Sequence, residues 1–177
     1  MYKTEAIITK VENFKENHLN ISVYSSEYGQ KSLVVFGGKS KKKNSTYVKG
    51  SLNNIEFDNN NVCLSSTSIN TFKWFLFSKY ELKAIDYFCF LINKLLFLAD
   101  QNSNVISYYL LLISKLNERS NYLPELLLLE LEILKASGYQ PDLNESVLKK
   151  IFNFHDKSNL ITYELIYEPV SYTHLTL

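Results

Sequence analysis

The spacing of apolar residues changes near residue 70, and this change constrains the fold more than any other feature of the sequence. Before it, apolar and polar residues alternate in short runs, as in residues 19–24, with the two-residue period of a half-buried strand. After it, apolar residues recur at intervals of three and four, as between residues 85 and 96, which predicts helices. Strands followed by helices indicate an α+β protein.

The alternating region predicts a small antiparallel barrel or sandwich. Its five predicted strands cover residues 2–11, 19–24, 31–36, 51–58 and 62–69. No helix long enough for a parallel crossover separates them. Helices are predicted at residues 79–99, 105–116, 124–137 and 144–152. Pro124 suits a first helical turn, Gly138 suits the position just past a helix end, and Ser103 or Asn104 suits an N-cap. We therefore expect a strand domain at 1–75 and a helical domain at 76–169.

A polycationic segment follows the third predicted strand. Residues 31–49 contain six lysines and no acidic residue. Residues 1–50 hold nine lysines and four glutamates, whereas the rest of the chain has ten basic and fourteen acidic residues. Lysines neutralise phosphates with little sequence preference, so this pattern predicts binding to a phosphate backbone. A solvated hairpin loop is the alternative, because lysine supplies every cation of the chain except Arg119.

Specific residues carry the prediction of DNA binding. They are Lys31, Lys39, Lys41, Lys42, Lys43, Lys49 and Tyr47. Tyr47 lies among polar neighbours, so we expect its ring to stack on a base, whereas Phe36 ends an apolar run and is expected to be buried. Gly37 and Gly38 are expected to end the strand and to let the backbone approach another group closely.

Patterns typical of enzymes and metal proteins are weak in this chain. His155 and Asp156 are sequence neighbours and do not form an oriented acid–base pair by that adjacency. The segment GGKS lacks the earlier glycine of a phosphate loop. Cys63 and Cys89 have no zinc-ligand spacing. We expect no enzymatic activity, no cofactor, no metal and no membrane span, because charged residues interrupt the apolar region 72–99. A cytoplasmic location is predicted.

Three blocks of sequence, in this order, are YKTEAIITKVENFKEN, SVYSSEYGQKSLVVFGGKSKKK and ELEILKASGYQPDL. Together they resemble the RecO family of bacterial recombination mediator proteins over about residues 1–143. The resemblance implies an N-terminal OB-fold followed by a helical domain, with a role in DNA repair. It implies as partners single- and double-stranded DNA, RecR and the acidic tail of the single-stranded-DNA-binding protein, with strand annealing and help to RecA loading. Lys39, Lys41, Lys42 and Lys43 match the family's basic residues after the third OB strand.

The chain departs from the family pattern in its C-terminal part. Many family members carry a four-cysteine zinc site after the segment that matches residues 138–143, and this chain has no cysteine there. The last residues, 170–177, look like translated adapter sequence, so the natural frame is expected to end near Pro169 and the helical domain to be truncated. A protein-interaction scaffold with an OB-like barrel and no direct DNA binding is the alternative function.

Overall fold

A computed structural model of the chain describes residues 1–40, 43, 45–69, 79–97 and 104–138. All of them lie in one compact unit, Met1–Gln140. Within these residues, no helix has the length and apolar character needed to cross a membrane. The predicted boundary near residue 75, the helix at 144–152 and the tail at 170–177 lie outside the described residues and stay predictions.

The N-terminal part forms a five-stranded antiparallel sheet. Its strands are β1 (Tyr2–Phe14), β2 (His18–Ser25), β3 (Gly29–Val35), β4 (Leu52–Phe57) and β5 (Cys63–Ser68). They lie in the order β3-β2-β1-β4-β5, and all neighbours pair antiparallel. Three helices follow in the described residues: α1 (Lys79–Leu95), α2 (Val105–Glu118) and α3 (Leu123–Ala136). The predicted α+β fold class is confirmed.

The two edge strands, β3 and β5, run in the same direction, and the end of β3 contacts the residue before β5. Val34 and Val62 form an isolated parallel bridge there, and the Val34 N–H donates a hydrogen bond of 2.9 Å to the Asn61 carbonyl. No ladder joins the two edges elsewhere in the described residues, so the sheet is curved and not fully closed. The architecture is that of a partly open, OB-like fold.

Strand β1 pairs with two strands and carries a bulge at Thr9. Its first half pairs with β4, its second half pairs with β2, and the register shifts between Ile8 and Lys10. A bulge leaves one residue out of the ladder and sharpens the local twist. Helix α1 stabilises the bulge through two hydrogen bonds between Thr9 and Asn93. The buried Thr9 hydroxyl donates to Asn93 Oδ1 at 2.8 Å, and Asn93 Nδ2 donates to the Thr9 carbonyl at 3.3 Å.

Two apolar clusters lie on opposite faces of β1. Ala6 and Ile8 belong to a cluster formed from all five strands. Ile7, between them, belongs to a second cluster that packs the sheet against the helices, together with Tyr24 and Leu52. Tyr24 and Leu52 are the paired neighbours of Ile7 on β2 and β4. One cross-strand row of the sheet therefore contacts the helical core.

Two tyrosine hydroxyls make hydrogen bonds inside the helical core. Tyr87 of α1 donates to the buried carboxyl of Glu130 on α3. Tyr109 of α2 donates to the Gly50 carbonyl just before β4, and its ring stacks on Phe88 with centroids 4.2 Å apart. Both bonds join elements that are distant in sequence, and the second ties a helix to the sheet.

The predicted helix-end residues lie where their chemistry suits them. Pro124 is in the first turn of α3, and Gly138, with φ +89°, follows the end of that helix. Asn104 is the N-cap of α2 but makes no side-chain capping bond. Instead its N–H donates to Glu132 Oε1 of α3 at 2.9 Å. A carboxylate from another helix thus takes the place of the Glu at the third position of a capping box.

Candidate nucleic-acid interface

Three aromatic side chains lie side by side where β1, β2 and β3 reach one end of the sheet. Phe14 ends β1 and pairs with His18, the first residue of β2. His18 is in turn next to Phe36, just past β3, with ring centroids 4.9 Å apart and perpendicular planes. Directly paired residues project from the same face of a sheet. The rings therefore form a row across three neighbouring strands.

The structure shows that the predicted burial of Phe36 is wrong. Val35, the last residue of β3, is 1% exposed, whereas Phe36 is 55% exposed. Side chains alternate between the two faces of a strand, so the residue after a buried valine points outward. An unbroken apolar run hides this alternation, which is why the sequence pattern favoured burial.

Two glycines shape the backbone after Phe36, as predicted, and each does so for a different reason. Gly37 adopts φ +65°, a conformation that costs glycine little. Its N–H donates to His18 Nδ1 at 3.2 Å. Gly38 is buried, and a Cβ there would lie 2.9 Å from Leu19 Cγ and 3.1 Å from Val35 Cγ1. The group that this backbone approaches is the apolar core of the sheet.

Three lysine side chains surround the aromatic row. Lys15, in the β1–β2 turn with φ +52°, places Nζ 5.4 Å from the centre of the Phe14 ring. Lys39 Nζ donates to the Lys15 carbonyl at 2.9 Å, and Lys43 Nζ donates to the Phe36 carbonyl at 3.3 Å. We call the six residues that meet here the basic–aromatic patch: Phe14, Lys15, His18, Phe36, Lys39 and Lys43.

Three of the six residues in the basic–aromatic patch are not predicted from the sequence: Phe14, Lys15 and His18. The sequence predicts no binding role for Lys15 or Phe14, although they adjoin the turn between the first two predicted strands. It also predicts no binding role for His18. The usable signal was topological: in a three-strand antiparallel meander the first turn lies next to the end of the third strand. This places residues 14–18 beside residues 36–39.

The remaining predicted lysines lie elsewhere or are already paired. Lys31 is half-buried on β3 opposite Val23, five residues before Phe36. Lys49 donates to the Asp86 carboxylate of α1 at 2.6 Å, so its charge is partly neutralised within the protein. Lys41 and Lys42 lie outside the described residues.

The structure contradicts the predicted stacking role of Tyr47. Its side chain is 8% exposed and belongs to the cluster formed by the five strands. The Tyr47 hydroxyl lies 3.9 Å from Cys63 Sγ, and burial raises the pKa of both groups. Polar sequence neighbours suggested a solvated ring, but the connection from β3 to β4 turns inward at this residue.

Substitution of the two glycines is expected to destabilise the protein by different routes. Gly38→Ala places a methyl group against Leu19 and should cost about 1–3 kcal/mol through overpacking. Gly37→Ala meets no atom within 4 Å but is strained by its positive φ, at about 1 kcal/mol. Urea unfolding measures both costs. There are two matched controls. In a Leu19→Ala background, Gly38→Ala should lower the free energy of unfolding by less than it does in the parent, because the clashing side chain is gone. Gly37→Asn should destabilise the protein less than Gly37→Ala. Equal stability of Gly38→Ala and the parent would contradict the packing.

The part of the chain that contains the patch matches a known family. Residues 1–65 match the family described as Recombination protein O N terminal. These residues are similar to the N-terminal domain of RecO proteins. The match spans β1 to the beginning of β5, so the whole basic–aromatic patch lies within it, and the resemblance to the RecO family is confirmed. The RecO domain associates the chain with recombination and repair. The chain has no match among curated proteins.

Proposed function

We propose that this chain is a DNA-binding recombination mediator that contacts DNA through the basic–aromatic patch. The observation that supports this is the convergence of Lys15, Lys39 and Lys43 at one end of strands β1–β3 in a RecO domain. OB-fold proteins bind oligonucleotides with the face of their second and third strands and the adjoining first turn. The patch includes the first turn and adjoins the end of β3, which supports the proposal.

The charge of the patch suits a polyanion. Lys39 and Lys43 direct their ammonium groups to backbone carbonyls and form no ion pair in the described residues, whereas Lys10 is engaged by Glu12 at 2.7 Å. One acidic residue, Glu16, is exposed in the β1–β2 turn. Lys41 and Lys42 add two more positive charges to the same loop by sequence. Ammonium groups of this kind bind phosphates as point charges and release counterions.

We extend the proposal to the cellular role that the family suggests. The chain would bind single- and double-stranded DNA, anneal complementary strands, and help RecA load onto single-stranded DNA together with RecR. It would contact the acidic tail of the single-stranded-DNA-binding protein. It would act in the bacterial cytoplasm as a binding protein without enzymatic activity. These partners remain proposals.

Neutralising the patch should weaken DNA binding and its salt dependence together. Each phosphate contact to a single strand contributes about 0.7 to the slope of log K against log salt. The triple variant Lys15→Gln/Lys39→Gln/Lys43→Gln should therefore lower the slope by about 2, and the affinity at about 0.1 M salt by about 100-fold. Fluorescence anisotropy of a labelled single-stranded oligonucleotide across a salt series measures both quantities.

Lysines outside the patch provide the matched control. Lys3→Gln and Lys49→Gln remove charges that are engaged by Glu56 and Asp86. We expect their binding to change by less than about twofold. Two results would count against the proposed function: an affinity for the oligonucleotide that does not change with salt concentration, and a triple variant that binds like the parent. Recovery of protein partners without any oligonucleotide binding would favour the interaction scaffold.

A further inference from the structure

We infer that Phe36 is a stacking platform for an unpaired base, so that the basic–aromatic patch prefers single-stranded nucleic acid to duplex. This inference rests on the proposed function and names the ligand of the same site. It does not follow from the lysines, which would attract the backbone of either form. It follows from an exposed aromatic ring in a patch that also contains three lysines.

The exposure of Phe36 is selective. The side chain is 55% exposed, whereas the core residues that flank it in the fold, Val35 and Leu19, are 1% and 3% exposed. Phe14, in the same row, is 37% exposed, and the Lys15 ammonium lies over its ring. Phe36 is therefore the more accessible of the two phenylalanines in the patch. Every base has an aromatic face, so such a ring can stack on any unpaired base.

Two side chains hold the peptide bond that follows Phe36. The Lys43 ammonium donates to its carbonyl, and the next N–H, of Gly37, donates to His18 Nδ1. The His18 ring also contacts the Phe36 ring edge to face or face to edge, at 4.9 Å. A ring held in advance loses little conformational freedom when a base stacks on it. The bond from Lys43 also places an ammonium group at the backbone of Phe36.

Duplex DNA cannot use this ring without being opened. Base faces in a duplex are already stacked on their neighbours, and exposing one costs a few kcal/mol, or about a 100-fold loss in affinity. The lysines can still bind duplex phosphates. Phe36 should therefore contribute to the binding of single strands and contribute little to the binding of duplex.

The test compares Phe36→Leu with the parent in the full chain, using three ligands of about twelve nucleotides or base pairs. The ligands are a single strand of thymidines, the same backbone with abasic residues in place of the bases, and a duplex. Leucine keeps apolar bulk but removes the aromatic face. Phe90→Leu, at an exposed phenylalanine of α1 (45% exposed), is the matched control.

We expect Phe36→Leu to weaken binding of the thymidine strand by about fivefold, the lower end of the range for alanine substitution of a stacking residue, because leucine keeps part of the apolar contact. Binding to the abasic strand and to the duplex should change by less than about twofold, and Phe90→Leu should bind all three ligands like the parent. The parent itself should bind the abasic strand more weakly than the thymidine strand. This pattern of results would show that Phe36 contacts the bases of the single strand and not its sugar–phosphate backbone.

Two results would overturn the inference and leave the proposed function intact. One is Phe36→Leu binding the thymidine strand like the parent while the lysine variants still lose affinity. The other is an equal loss on all three ligands, which would indicate a structural effect; circular dichroism of the variant would show it directly. If the parent binds no oligonucleotide at low salt, the proposed function fails and the inference falls with it.

Discussion

Glu130→Gln is expected to make the protein more stable than the parent at about pH 8, by about 3 kcal/mol, and to leave stability nearly unchanged at about pH 4. The reason is the burial of this carboxyl, which is 4% exposed between α1 and α3. Burial raises its pKa from 4.5 to about 7, against the opposing effect of the hydrogen bond from Tyr87. A carboxyl whose pKa is raised in the folded state binds its proton more tightly there than in the unfolded chain.

The direction of the pH effect follows from proton binding. Between about pH 4.5 and pH 7 the folded state holds more protons at Glu130 than the unfolded state, so raising the pH through this window destabilises the fold. Glutamine cannot ionise, and its side-chain oxygen can still accept the Tyr87 hydrogen bond. The variant should therefore lack this part of the pH dependence.

Urea unfolding of the parent and the variant across this pH range measures the difference directly. The comparison removes the contributions of all other titrating groups, because both proteins share them. Tyr87→Phe serves as the companion variant: it deletes a donor to the carboxylate, which should raise the Glu130 pKa further and steepen the loss of stability with pH. Parallel stability curves for the parent and Glu130→Gln would show that the carboxyl is solvated.

Truncation of Tyr109 is expected to have the largest effect on stability. Tyr109 is fully buried, stacks on Phe88 and donates its hydroxyl proton to the Gly50 carbonyl. Tyr109→Ala should cost about 3–5 kcal/mol through the cavity it leaves. Tyr109→Phe keeps the ring but leaves a buried carbonyl without this donor, at about 1–3 kcal/mol.

The neighbouring tyrosine is the control for these variants. Tyr108 is only partly buried on the same helix. Tyr108→Phe should change the free energy of unfolding by less than about 0.5 kcal/mol. Thermal and urea unfolding would rank the three variants. A Tyr109→Phe protein as stable as the parent would mean that Gly50 finds another donor, and that α2 is not tied to the sheet through this bond.

Local patterns explain why much of the fold could be predicted. Alternation is clear at residues 19–24 because one face of β2 packs against a cluster, and the helical spacing of residues 85–96 arises from packing of one face of α1 in the same way. Pro124 and Gly138 act within a single turn of chain, so their positions were readable. These features depend on neighbours in sequence.

The candidate site was harder to predict because its geometry depends on contacts between distant residues. The lysines after β3 were visible as a run, but Lys15 joins them only through the sheet, by the bond from Lys39. Lys49 was assigned to DNA and is instead paired with Asp86, 37 positions further along. The sequence predicts a buried Phe36 and an exposed Tyr47, whereas Phe36 is exposed and Tyr47 is buried. The polarity of neighbouring residues does not indicate that the segment between β3 and β4 buries the Tyr47 ring in the core.

The contact between Glu132 and Asn104 has a consequence for how the chain folds. The first turn of α2 leaves N–H groups that need acceptors, and one acceptor comes from α3, made 28 positions later. On the ribosome, a chain that has emerged only through α2 lacks this carboxylate. An isolated helix of fourteen residues is marginal in water. We therefore expect α2 and α3 to become helical together, as a hairpin, once both have emerged.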